Sequence, residues 1–152
     1  MAIVDRVYLD TTVPSAYYDD RAPDRQRLTQ EFWRGRCPEM DAVISAITLL
    51  EIRNTPNEDK RQKMEDLVQN LTVLSFSNEA DNLAQEYVRR GIFPGRCIAD
   101  ANHVAIAVVH GVGYLASWNF RHLVRVSTRR EVNQRLQYYR DCGSTRVIGD
   151  GP

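Results

Sequence analysis

Asp10, Glu51, Asp100 and Asn119 each sit inside or just past an apolar run that otherwise reads as core. The runs are Val7-Tyr8-Leu9, Leu49-Leu50 with Ile52, Ile98-Ala99 with Ala101, and Tyr114 to Trp118. A carboxylate among packed aliphatics is costly unless something positive offsets its desolvation. Three carboxylates spread along the chain, each at an element boundary, point to one site assembled by folding. A hard divalent cation with oxygen ligands suits such a set, and Mg²⁺ or Mn²⁺ would remove their mutual repulsion. That chemistry belongs to metal-dependent enzymes acting on phosphates. Each carboxylate also has a plainer reading: Asp10 and Asp100 as helix caps, Glu51 as the partner of Arg53 or another arginine.

The elements that must position these residues alternate between strand and helix. Ile3 to Leu9, Ala42 to Ser45, Val73 to Phe76 and Tyr114 to Trp118 read as short buried strands, with Arg146 to Ile148 as an edge strand. A helical turn is expected over Pro14 to Tyr18. A helix capped by Asp24 runs through Phe32-Trp33, and another, capped by Ser45, runs to about Arg53. Asn57 to about Leu71 is helical by the spacing of Met64, Leu67, Val68 and Leu71. Ser77 opens a helix that Gly91 stops. Ile98 to His110 is an apolar helix buried on most sides, and Arg129 to Tyr139 is a further helix.

This order predicts one α/β domain over residues 1–152, with a central parallel sheet of four or five strands and helices on both faces. Ligands of such sheets gather beyond the carboxyl ends of the strands, where Asp10 and Asn119 fall. Glu51, nearly two turns into its helix, can lean back over the same edge. Asp100 lies in the first turn of its helix, where the helix dipole favours a negative charge.

Composition is that of an ordinary globular domain, 43% hydrophobic and 26% charged. Twenty basic and twenty acidic residues balance, so no overall field draws the chain to nucleic acid. Lys60 and Lys63 are the only lysines. The arginine preference is compatible with a phosphate-rich substrate and equally with genomic base composition. Cys37, Cys97 and Cys142 lack metal-site spacing and read as reduced thiols, which leads to an expectation of a cytoplasmic protein. No signal peptide or membrane anchor is expected.

The segments Tyr8-Leu9-Asp10-Thr11-Thr12-Val13, Ser45 through Leu49-Leu50-Glu51-Ile52, Ile98 through Asp100 to Ala105, and Leu115 through Asn119-Phe120 resemble PIN domains. They are most similar to VapC-like ribonuclease toxins and their single-domain relatives, in order and across essentially the whole chain. The resemblance implies a three-layer PIN-like sandwich and an endoribonuclease dependent on Mg²⁺ or Mn²⁺, often dimeric. Where the relative is a toxin, it also implies a cognate antitoxin over the active groove. By position it makes Asp10, Glu51 and Asp100 the acidic metal-site residues and Thr12 a small polar support. Asn119 stands where many members carry a fourth aspartate; its carbonyl oxygen can still ligate, but one negative charge is lost. Products with 5′-phosphate and 3′-hydroxyl ends are implied too.

Arg121 and His122, just past Asn119, are candidates for holding substrate phosphate, with Arg125, Arg129 and Arg130 on the same basic stretch. A solvated helix face is the plainer reading. His103 and His110 share a helix face about 10 Å apart, too far to ligate one zinc ion unaided. Two other functions remain open. One is a catalytically weak PIN-like module that binds RNA or protein, favoured by Asn119. The other is a phosphatase, which needs a second aspartate where Thr12 stands.

Overall fold

The computed structural model describes residues 4–119 and 146–148. The expected helix over Arg129 to Tyr139 lies outside the described residues, as does Cys142. Five parallel strands form one sheet: β1 (Arg6–Leu9), β2 (Asp41–Ser45), β3 (Thr72–Leu74), β4 (Tyr114–Ala116) and β5 (Arg146–Ile148). Their spatial order is β3-β2-β1-β4-β5. The helices are α1 (Thr12–Tyr17), α2 (Pro23–Gly35), α3 (Ala46–Arg53), α4 (Glu58–Val68), α5 (Asn78–Arg89) and α6 (Ile98–Val109), with short 3₁₀ turns at Cys37–Glu39 and Gly95–Cys97.

Successive strand residues point to opposite faces, and the core divides accordingly. Tyr8, Val43, Leu74 and Leu115 point to one side, where Leu83, Ala84 and Tyr87 of α5 and Val104, Ala105 and Val108 of α6 cover them. Val7, Leu9, Ala42, Ile44 and Ala116 point to the other. Val13 of α1, Ile52 of α3 and Met64 and Val68 of α4 cover that face, with Phe32 and Trp33 of α2 at its margin. Three layers result, with both faces of the sheet buried as a parallel sheet requires.

Ser45 ends β2 and caps α3: its hydroxyl accepts from the Ile47 and Thr48 amides while the Thr48 hydroxyl accepts from the Ser45 amide. Asn57 and Ser77 cap α4 and α5, each side chain accepting from one amide, that of Lys60 and of Ala80. Gly91, with φ of +74°, supplies the left-handed residue that stops α5. The expected Asp24 cap is corrected. The helix begins at Pro23 with Ala22 at the cap position, because proline's fixed φ suits the first helical residue; Asp24 falls in the first turn instead.

β1 is central, between β2 and β4. The chain moves from β1 out to β2 and β3, then crosses back to the opposite side of β1 for β4. Connections therefore diverge between β1 and β4, opening a crevice at their carboxyl ends.

Candidate functional site

Asp10 directly follows β1 and Ser117 directly follows β4, so both stand at that crevice. The Asp10 carboxylate is 2% exposed. Its Oδ1 accepts from the Thr12 amide at 3.0 Å and the Thr12 hydroxyl at 2.5 Å. Its Oδ2 accepts from the Ser117 hydroxyl at 2.5 Å. Those hydroxyls are held in turn, since the Trp118 amide donates to Thr12 Oγ1 at 2.8 Å and the Asn119 amide to Ser117 Oγ at 2.9 Å. Two backbone amides beyond β4 thus reach Asp10 through hydroxyl relays. Burial raises the Asp10 pKa above the usual carboxylate range, and the His103 ring and the Ser117 and Thr12 bonds oppose it only in part. Among the described residues no lysine or arginine pairs with Asp10.

Glu51 lies near the end of α3, half-buried. Its Oε1 accepts from the Thr11 hydroxyl at 2.6 Å, and His103 Nε2 lies 2.6 Å away. Burial opposes the Glu51 charge, but the His103 and Thr11 interactions outweigh it and hold the carboxyl below its usual range. The partner is therefore a histidine, not the arginine of the plainer reading. His103 is buried on α6, and its Nδ1 lies 2.5 Å from the Tyr8 hydroxyl. Adjacent threonines thus bind the two carboxylates, and both charges act on Tyr8, whose own pKa burial raises.

Asp100 is half-buried in the first turn of α6, three residues before His103. Residues so spaced are neighbours on a helix surface. Asn119 is half-buried beyond β4 and touches the site through its amide. Arg121 and His122 lie outside the described residues. Trp118 anchors the far wall: its indole donates to Thr29 Oγ1 of α2 at 2.9 Å, and the Arg25 guanidinium lies 5.3 Å from its ring centre.

Sequence reasoning passed over Ser117, Thr11 and Tyr8 and weighed His103 only for zinc. His110 is engaged elsewhere, 2.9 Å from the Ser75 carbonyl. A signal for His103 existed in its position, one helical turn after Asp100. Thr11 carried only that of a hydroxyl beside a strand-end carboxylate, and Ser117 carried none.

The donor set suits a hard cation by its chemistry. Each carboxylate oxygen has two lone pairs. The described hydrogen bonds leave one on Asp10 Oδ2 and both on Glu51 Oε2. Among the described residues, however, no group of three or more His, Cys, Asp or Glu side chains is gathered closely enough to hold a metal.

No family model and no curated protein matches this sequence. Solved structures do match its fold. VapBC2 from Rickettsia felis, bound to a DNA fragment from its promoter, superposes with a TM-score of 0.58 at 14% identity, over 95% of this chain and 98% of that one. Mycobacterium tuberculosis VapC20, a sarcin–ricin loop cleaving toxin, gives 0.59 at 14% identity, over 78% of this chain and 93% of that one. VapBC-5 of the same organism, from the VapBC family of toxin–antitoxin systems, gives 0.52 at 15%, over 94% and 98%. The fold of this chain is that of a VapC-like PIN domain.

Proposed function

We propose that this chain is a metal-dependent endoribonuclease, the toxin of a toxin–antitoxin pair, using Mg²⁺ or Mn²⁺ to hydrolyse RNA phosphodiester bonds. One observation carries the reading: a fully buried aspartate at the carboxyl end of the central strand, with no cationic side chain paired to it among the described residues. A fold keeps at a cost a buried carboxylate whose desolvation its hydrogen bonds offset only in part, and a bound cation would offset the remainder. The likeness to VapC20 and to two VapBC structures supports RNA as the substrate class and an antitoxin as the partner.

Asp10 and Glu51 would hold the cation, with Asp100 and Asn119 completing the set. The cation would polarise a phosphate oxygen and acidify a bound water. The protein's own part is to keep the carboxylates in register. Thr12 and Ser117 fix both oxygens of Asp10, and Thr11 and His103 fix Oε1 of Glu51. Arg121 and His122, which follow Asn119 in the chain, would hold RNA backbone.

Cleavage of a structured RNA in Mg²⁺ or Mn²⁺ tests the proposal. Asp10→Asn and Asp100→Asn should each lower the rate by roughly 100-fold or more, and chelation should abolish it. Equal cleavage by the parent and both variants would remove the assigned site. A second reading, an RNA- or protein-binding module without catalysis, is favoured by Asn119 and by the absence of a gathered carboxylate cluster among the described residues. It predicts RNA binding without any calorimetric response to millimolar Mn²⁺.

A further inference from the structure

Glu51 is tied to the cap of its own helix by a chain of hydrogen bonds that leaves α3 and returns to it. Ser45 Oγ lies 2.7 Å from the Tyr8 hydroxyl, Tyr8 lies 2.5 Å from His103 Nδ1, and His103 Nε2 lies 2.6 Å from Glu51 Oε1. Ser45, Tyr8 and His103 are all buried, so water does not substitute for the Ser45–Tyr8 and Tyr8–His103 links. Three elements contribute: the β2–α3 junction, the middle of β1, and α6.

For a neutral His103 ring, donor accounting orients each bond. Ser45 Oγ accepts from the amides of Ile47 at 3.1 Å and Thr48 at 3.3 Å, which occupies both its lone pairs. Its proton therefore goes to the Tyr8 oxygen, the nearest acceptor; Thr48 Oγ1, at 3.5 Å, is more distant. Tyr8 then spends its own proton on His103 Nδ1. With Nδ1 accepting, the ring hydrogen sits on Nε2 and points at Glu51, which as a carboxylate can only accept. The opposite polarity would leave the Tyr8 proton only the Thr48 Oγ1 at 3.5 Å, because both lone pairs of Ser45 Oγ are taken.

We infer that the α3 cap, acting through Tyr8, fixes His103 as a positioning residue for Glu51. The His103 and Thr11 donors together fill Oε1, so Oε2 is the oxygen presented to the crevice. This deepens the nuclease reading and rests on it for the role of Glu51, whereas the bond order rests on the heavy-atom distances and the donor count. Groups that orient a site carboxylate in this way typically change activity or metal affinity roughly 10- to 100-fold when removed.

Histidine-selective ¹⁵N NMR of the metal-free protein reads the ring directly, with the His103 signal assigned by its loss in His103→Gln. The wild type should show a single tautomer protonated on Nε2, and Tyr8→Phe should mix the two tautomers. In cleavage assays Tyr8→Phe should lower kcat roughly 10- to 100-fold with KM for RNA little changed. His103→Gln, whose amide nitrogen can still donate, should retain more kcat than His103→Leu. An Nδ1-protonated His103 in the wild type overturns the inference. So does a Tyr8→Phe protein with unchanged kcat beside an inactive Glu51→Gln. A wild type with the Nε2–H tautomer but no cleavage in Mn²⁺ supports the hydrogen-bond order and overturns the nuclease reading alone.

Discussion

Asp10 and Glu51 are carboxylates a few residues' reach apart that the fold treats in opposite ways. Burial raises the Asp10 pKa, so the folded protein holds that proton more tightly than the unfolded chain. Its contribution to stability is complete below the unfolded value and is lost as pH rises through the raised folded value. Without metal, the buried charge is a liability at neutral pH. Asp10→Asn should raise Tm there while removing activity, and its stability should fall less than the parent's as pH rises from acid to neutral. Glu51 has the reverse sign, because its pKa is lowered by the His103 and Thr11 bonds. Its contribution is present above the unfolded value and disappears as pH falls through the folded one. Glu51→Gln should therefore be less stable than the parent at neutral pH and converge with it in acid. Denaturant midpoints across about pH 3 to 8, measured in chelator, check both signs. At Cys37, burial pushes the thiol up to about 11, which fits the inert reduced cysteine expected from its isolated position.

Among the elements, the β2–α3 junction does two jobs with one hydroxyl. Ser45 caps α3 and closes the core end of the chain that reaches Glu51. Replacing it with alanine should cost about 1 kcal/mol for the cap, seen as a fall in the denaturation midpoint. Cleavage should fall as well, since Tyr8 loses the donor that orients it. This junction was legible in the sequence because serine followed by a helical run is a local signal. The Ser77 cap and the Gly91 stop were legible for the same reason. Asp24 misled because proline one residue earlier already satisfied the first turn, and the sequence does not say which signal prevails. His103 misled differently: a histidine in an apolar helix carries no mark of its partners, and both of them, Tyr8 and Glu51, are far away in the chain. Ser117 was invisible as a support because its role exists only once β4 lies beside β1.

At the scale of the whole molecule, the sheet order does what no segment can. Placing β1 between β2 and β4 brings Asp10 beside Ser117, while α3 and α6 bring Glu51 and His103 together over the same edge. Alternating strands and helices were enough to foresee a parallel sheet covered on both faces, and Asp10 and Asn119 lie beyond the ends of β1 and β4, where the strand order put them. Partner side chains were not foreseeable, because they depend on crossings between elements that only packing decides. The same topology holds the carboxylates near one another without gathering them, which makes cation binding the central question. Calorimetric titration of the metal-free protein with Mn²⁺ answers it most directly. The parent should bind, and Asp10→Asn should lose at least about tenfold in affinity. An absence of binding to the parent, or equal binding to both proteins, would contradict the assignment of this edge as a metal site.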